Sequence, residues 1–179
     1  MTEHNQARAR TAEQPPSAIV IRGLPGIGKT TLANAIVTRL RLDGMQTFHI
    51  NADAVRGTVN KDLGFTPAER NENARRLGSM AFLASSNGLV PVVDFVMPTK
   101  MTFDAFTEAL GDTSVNLWSI RSTDEFRSRF ADTAKMFERL HEWWGGAVFA
   151  NLYELAPFTE DEVFTTADRI VEAYYRNRK

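Results

Sequence analysis

The chain has 179 residues, 43% of them hydrophobic, which suits one domain with a sizeable core. Its 21 basic and 22 acidic side chains leave a net charge of −1, so no global positive field exists to hold duplex nucleic acid. With no cysteine there is no disulfide framework and no thiolate zinc site, and no apolar run reaches membrane-spanning length.

Residues 1–16 are polar, carry two prolines and lack the apolar segment of a signal peptide. A disordered tail is expected there, a cytoplasmic location is the simplest fit, and one domain is expected over 17–179. Its first strand is about Ala18–Arg22. A helix follows from the glycine-rich turn to near Asp43, with Gly44 as its C-terminal cap. The second strand is about Gln46–Ile50, and a polar connection runs from Asn51 to Thr66. The next helix opens on a capping box: Thr66 caps, Pro67 suits the first turn and Glu69 reaches back. It runs to about Ser86, with Gly88 past its end and Leu77, Met80, Ala81 and Ala84 facing inward. The almost continuous apolar run Leu89–Phe95 predicts a parallel strand buried on both faces. A helix over Lys100–Leu110 ends at Gly111, a strand covers Val115–Ile120, and the last helix runs from near Thr159 to near Arg176. Residues 121–158 mix charge and aromatics without clean periodicity, and a mobile lid is expected there. Strands alternating with helices predict an α/β fold, a three-layer α/β/α sandwich around a parallel sheet.

Residues 23–30 read Gly-Leu-Pro-Gly-Ile-Gly-Lys-Thr, a complete G-x-x-x-x-G-K-[ST] phosphate loop between a strand and a helix. Gly23, Gly26 and Gly28 let backbone N–H groups curl around a polyphosphate, and Leu24, Pro25 and Ile27 complete the loop. Lys29 reaches the β- and γ-phosphates, Thr30 ligates Mg²⁺ through its hydroxyl, and Thr31 adds an N–H from the first helical turn. A P-loop NTPase that binds Mg²⁺ and ATP is therefore expected.

A second constellation follows the second strand. Asp53 sits at the carboxyl end of that strand, where α/β sheets bind ligands, and Arg56 lies three residues on. Arg70 and Asn73 share a helix face. An acid, two arginines and an amide can thus converge on an anionic acceptor opposite the P-loop. Asp94 ends the third strand, where a carboxylate can hold Mg²⁺ through water. The plainer readings are a helix cap for Asp53, solvated surface for the arginines, and a hydrophobic staple for Phe65. His49 lies in an apolar strand and is expected to be structural. Arg127, Arg129 and Lys135 read either as an ordinary charged face or as the source of an internal arginine finger, for which Arg129 is the candidate.

The stretch Asn51-Ala52-Asp53-Ala54-Val55-Arg56, then Asn60-Lys61-Asp62-Leu63-Gly64-Phe65, then Glu69-Arg70-Asn71-Glu72-Asn73-Ala74-Arg75-Arg76 resembles adenylylsulfate kinase. The family pattern is D-G-D-N-V-R, L-N-x-D-L-G-F and D/E-R-x-E-N-I-R-R, and the firm resemblance covers about Ser17 to Lys100. It implies ATP-dependent phosphorylation of the 3′-hydroxyl of adenosine 5′-phosphosulfate. It places Asp53 near the acceptor hydroxyl and Arg56, Phe65, Arg70 and Asn73 at substrate-binding positions. The chain departs from the pattern at Asn51, Ala52 and Ala54, and the family's S-F-I-S-P reads Asp94-Phe95-Val96-Met97-Pro98. No counterpart of the family's G-L-Y-x-K-A-R lid segment is present. The expected partners are ATP and a small anionic acceptor bearing a hydroxyl; a homodimer fits this reading and a membrane does not. The competing readings are a kinase of another hydroxyl (a modified nucleotide, a hydroxymethylated nucleic-acid base or a small alcohol) and a nucleotide-binding module without phosphotransfer.

Overall fold

The computed structural model describes residues 16–123, 125, 128 and 152–178. Strand β1 (Ala18–Arg22) leads through the P-loop into helix α1 (Lys29–Leu42). Strand β2 (Thr47–Asn51) runs directly into a short helix α2 (Ala52–Gly57), and α3 (Pro67–Ser86) follows. Then come β3 (Val90–Phe95), α4 (Lys100–Leu110) and β4 (Val115–Ile120). Strand β5 (Leu152–Leu155), a 3₁₀ turn (Glu160–Glu162) and α5 (Val163–Arg176) complete the described chain. The five strands form one sheet in the order β2-β3-β1-β4-β5, and every pairing is parallel.

Alternation along the strands makes two cores. Ile19 and Ile21 of β1 point to one face, where they meet Leu32, Ile36 and Leu40 of α1 and Ile170 and Tyr174 of α5. Ala18 and Val20 point to the other, where they meet Leu77 and Ala81 of α3 and Phe106 and Leu110 of α4. This is the expected three-layer sandwich. Strand β3 lies between β2 and β1 and is buried along its whole length, as its apolar run requires. On α3, Leu77 and Ala81 are fully buried and Ala84 nearly so, while Met80 is half-buried at the edge of the same core. The capping boxes at Thr66–Glu69 and Thr159–Glu162 both form. Helices α3 and α4 pack so closely that a Cβ on Gly78 would collide with the Phe106 carbonyl oxygen.

Two features correct the sequence reading. The connection after β2 is helical over Ala52–Gly57, because the Asn51 side chain accepts the Ala54 N–H (2.8 Å) and caps a single turn and a half. The expected lid region overruns the sheet: Leu152–Leu155 form β5, an edge strand whose Tyr153 stacks on Trp118 of β4 with ring centroids 4.3 Å apart. Among the described residues no helix is long and apolar enough to cross a membrane.

Candidate active site

The P-loop gains its curvature from Gly26 (φ 75°) and Gly28 (φ 95°), a region that L side chains rarely adopt. Gly28 is the N-cap of α1, and the first helical hydrogen bond runs from the Leu32 N–H to the Gly28 carbonyl. The N–H groups of Lys29, Thr30 and Thr31 therefore have no carbonyl behind them and are left for an anion, with the helix dipole behind them. The Lys29 ammonium arches over the loop and donates to the Leu24 carbonyl at 2.8 Å. Burial pushes the Lys29 ammonium below its ordinary value, and the nearby carboxylates of Asp94 and then Asp53 act against that. Both carboxylates thus lie within electrostatic reach of one buried cation, on the phosphate side of the sheet.

Asp94, at the carboxyl end of β3, is 2% exposed and fully engaged. Its Oδ2 accepts from the Thr30 hydroxyl (2.6 Å) and from Asn51 Nδ2 (2.9 Å), and its Oδ1 contacts His49 Nε2 at 2.7 Å. Burial raises its affinity for a proton, but the hydrogen bonds from His49, Thr30 and Asn51, with the His49 charge, outweigh it and hold the carboxyl below its ordinary value. A carboxylate accepts only, so the facing His49 nitrogen carries the hydrogen. His49 is therefore part of the site, against the expectation of a purely structural role. Its period-two partner Asn51 is the signal in the sequence: two polar side chains on one face of an edge strand.

A hydroxyl and one carboxylate meeting at the mouth of the P-loop are hard oxygen donors. They fit Mg²⁺, which keeps several waters and completes its shell with substrate phosphates. Thr30 and Asp94 are the residues that would hold it.

A second cluster is built on α2 and the start of α3. Asp53 is exposed in the first turn of α2, and Arg56 in its last turn donates through Nη1 to the Gly64 carbonyl at 2.7 Å. Arg70 donates through Nε to the Phe65 carbonyl at 2.9 Å. Both guanidinium groups lie against the Phe65 ring, 4.6 and 5.3 Å from its centroid, while the ring is 67% exposed. Partial burial lowers the Arg70 pKa, and the Arg56 charge lowers it further. Two like charges held this close form a place where an anion is favoured.

Asn73 does not join them. It is 4% exposed, and its Oδ1 accepts from Nδ2 of the fully buried Asn60 at 2.9 Å. Arg76 grips both oxygens of Asp62 (2.7 and 2.8 Å) and pairs with Glu72. The Asn60–Phe65 block is thus clamped onto α3, and Asn73 is one of the side chains that hold it there. The spacing puts Asn73 on the Arg70 face, but helix positions three residues apart diverge enough for one to be buried.

Met97 follows Asp94 in a left-handed conformation (φ 45°), rare for a side chain of this kind, and is 1% exposed in the core beneath α3. Where the family pattern has a serine, this chain puts an apolar group. Beside the P-loop, Ile27, Ile120, Arg121, Thr123, Pro157 and Phe158 line a recess of about 440 Å³. Phe158 reaches the P-loop itself: its ring lies 3.5 Å from where a Cβ on Gly28 would stand. Arg127, Arg129 and Lys135 lie outside the described residues.

The family described as adenylylsulphate kinase matches residues 15–130. The adenylyl-sulfate kinase of Shewanella oneidensis is 42% identical over 99 residues, 55% of this chain and 48% of that protein. The bifunctional enzyme NodQ of Azospirillum brasilense is 39% identical over 105 residues, 59% of this chain and 17% of that protein. The matched stretch therefore spans about half or less of these relatives. Among solved structures, the Mycobacterium tuberculosis APS kinase CysC in complex with AMPPNP and APS superposes with a TM-score of 0.69 at 22% identity, covering 88% of this chain and 96% of that one. A sugar kinase from Janibacter sp. HTCC2649 superposes at 0.66 with 17% identity, covering 88% and 95%. These two likenesses show a shared fold. The family match runs from β1 through β4, across both the P-loop and the Arg56–Phe65–Arg70 stack, and takes in well over half of the sequence: the chain belongs to the adenylylsulphate kinase family.

Proposed function

We propose that this chain is a kinase that transfers the γ-phosphoryl of Mg·ATP to the 3′-hydroxyl of adenosine 5′-phosphosulfate. The observation that carries the reading is the Arg56–Phe65–Arg70 stack in a chain with a complete P-loop, with Asp53 close enough to each that its charge acts on both Lys29 and Arg56. An exposed ring flanked by two cations suits an acceptor that carries a flat base and an anion. Family membership and the similar adenylyl-sulfate kinase of Shewanella oneidensis support the same acceptor.

In this mechanism the P-loop N–H groups and Lys29 hold the β- and γ-phosphates; Thr30 and Asp94 would hold Mg²⁺, which would supply neutralising positive charge there. The recess beside the P-loop, lined by Ile120, Arg121 and Phe158, takes the nucleoside end of ATP. Arg56 and Arg70 draw the anionic part of the acceptor against Phe65. Asp53 orients the acceptor hydroxyl and accepts its proton as the bond to phosphorus forms. Arg129, which lies outside the described residues, is the proposed cation for the transferring phosphoryl. The test is a transfer screen with γ-labelled ATP against adenylylsulfate, nucleosides, nucleotides, small alcohols and DNA. Label in adenylylsulfate alone is expected. Label in another alcohol, with none in adenylylsulfate, would replace the acceptor, and label in none would favour a nucleotide-binding module.

A further inference from the structure

The side chains of Asn51 and Asp94 meet across the β2–β3 pair, where the two residues are register partners, and both touch the Thr30 hydroxyl. We propose that the metal-directed negative charge of this site has crossed from β2 to β3: Asp94 carries the charge that the family pattern places at position 51, and Asn51 and His49 position its two oxygens. The proposal rests on the Mg·ATP reading above.

Three observations carry it. First, the two positions are equivalent with respect to Thr30. Asn51 Nδ2 lies 3.1 Å from the Thr30 hydroxyl oxygen and Asp94 Oδ2 lies 2.6 Å from it. An acidic group at either position faces the same metal ligand. Second, the two side chains are matched as donor and acceptor. Asn51 Nδ2 donates to Asp94 Oδ2 at 2.9 Å, a hydrogen bond that an oxygen at that position could not give, with Asp94 only 2% exposed. The family pattern has Asp at position 51 and Ser at 94; this chain has Asn and Asp. One acid is kept and its strand is exchanged. Third, the Asn51 amide has only one orientation that satisfies the site. Its oxygen accepts the Ala54 N–H at 2.8 Å as the cap of α2, so its NH₂ must face Asp94 and Thr30. The cap of the acceptor helix and the orientation of the metal carboxylate are thereby set by one side chain. His49 holds the other oxygen, at 2.7 Å, and acts only through Asp94. It is a positioning residue.

The test is calorimetric binding of AMPPNP with and without Mg²⁺, which needs no turnover. Wild-type protein is expected to bind the nucleotide more tightly with Mg²⁺. Asp94→Ser is expected to lose about 10- to 100-fold of that Mg²⁺-dependent gain, and the double variant Asn51→Asp/Asp94→Ser to recover most of it. His49→Leu is expected to lose part of the gain, and His49→Gln, whose amide nitrogen can reach the same oxygen, to restore it. Thermal melts report whether each variant is folded. Where Asp94→Ser fails to fold, Asp94→Asn and Asn51→Asp/Asp94→Asn serve, since both keep the shape of the site. A double variant no better than the single, or an Asp94 variant with the full Mg²⁺ gain, overturns the exchange. A His49→Gln variant no better than His49→Leu overturns the positioning role. Wild type that binds no Mg·AMPPNP overturns the kinase reading and the exchange together, so the two failures are told apart.

Discussion

Replacing Arg70 by alanine separates acceptor binding from nucleotide binding. Arg70 sits with its guanidinium 5.3 Å from the Phe65 ring centroid and its Nε bonded to the Phe65 carbonyl, so the substitution removes a charge and a tether together. A charge-assisted hydrogen bond to an anion is worth about 1.5–3 kcal/mol, which corresponds to a rise of roughly 10- to 150-fold in the acceptor KM. The tether is partly exposed and adds about 1 kcal/mol at most. Arg56 limits the loss by remaining against the ring, and because both arginines touch Phe65 their substitutions are expected to couple rather than add. Arg70→Lys keeps a charge but neither the fork nor the Nε bond, and should fall between wild type and alanine. Steady-state kinetics with adenylylsulfate as the varied substrate, then with ATP varied, read the effect. The acceptor KM should rise while the ATP KM stays within about twofold, since Arg70 is bonded to Phe65 and the proposed ATP site is built on the P-loop. An unchanged acceptor KM, or a rise in both KM values in step, would refute the placement of the anion against this stack.

Three further outcomes are expected. Asp53→Asn should lower kcat far more than it raises the ATP KM, because the amide keeps the shape of an exposed side chain but cannot accept the hydroxyl proton; loss of ATP affinity at unchanged kcat would move Asp53 into the Mg·ATP site. Gly78→Ala should destabilise the fold by about 1–3 kcal/mol, a fall of roughly 2–12 °C in Tm, because the added Cβ would run into the Phe106 carbonyl oxygen; an unchanged melting temperature would show that α3 and α4 separate freely. Glu72, bonded to Arg75 and Arg76, has its carboxyl held at about 2 instead of 4.5, so its contribution to stability is present above pH 4.5 and is lost as pH falls from there through 2; Glu72→Gln should flatten that part of the stability–pH curve, and an unaltered curve would contradict the pairing.

The parts of the fold that are legible in the sequence are those where a local rule decides. The P-loop is spelled out by its glycines, Lys29 and Thr30. The Thr66–Glu69 box marks the start of α3, and β3 announces itself by burial on both faces. The parts that are not legible lack such a rule. Helix α2 has six residues, too few for any periodicity, and depends on one cap from Asn51. Strand β5 has four residues at the sheet edge and offers no buried run to read. The misplaced site residues share a different cause, since polar pairs made across the fold leave no pattern in the chain. Asn73 finds Asn60, and His49 finds Asp94, 13 and 45 residues away respectively. Arg56, Phe65 and Arg70 do meet in space, because the short α2 and the clamp of Arg76 on Asp62 bring the two arginines to the same ring.

The most direct test of the account is the product formed by purified wild-type protein and its Lys29→Ala variant from Mg·ATP and adenylylsulfate, identified by mass and by the position of the new phosphate. Lys29 sits over the loop with Nζ 2.8 Å from the Leu24 carbonyl, and in the proposed mechanism it would neutralise charge on the bridging and transferring phosphates. Wild type should yield the 3′-phosphorylated compound and ADP in equal amounts, and Lys29→Ala should melt normally while turning over about 10²–10³-fold more slowly or worse. A folded Lys29→Ala protein with wild-type turnover, or wild type that leaves adenylylsulfate unchanged while phosphorylating a different alcohol, would contradict it.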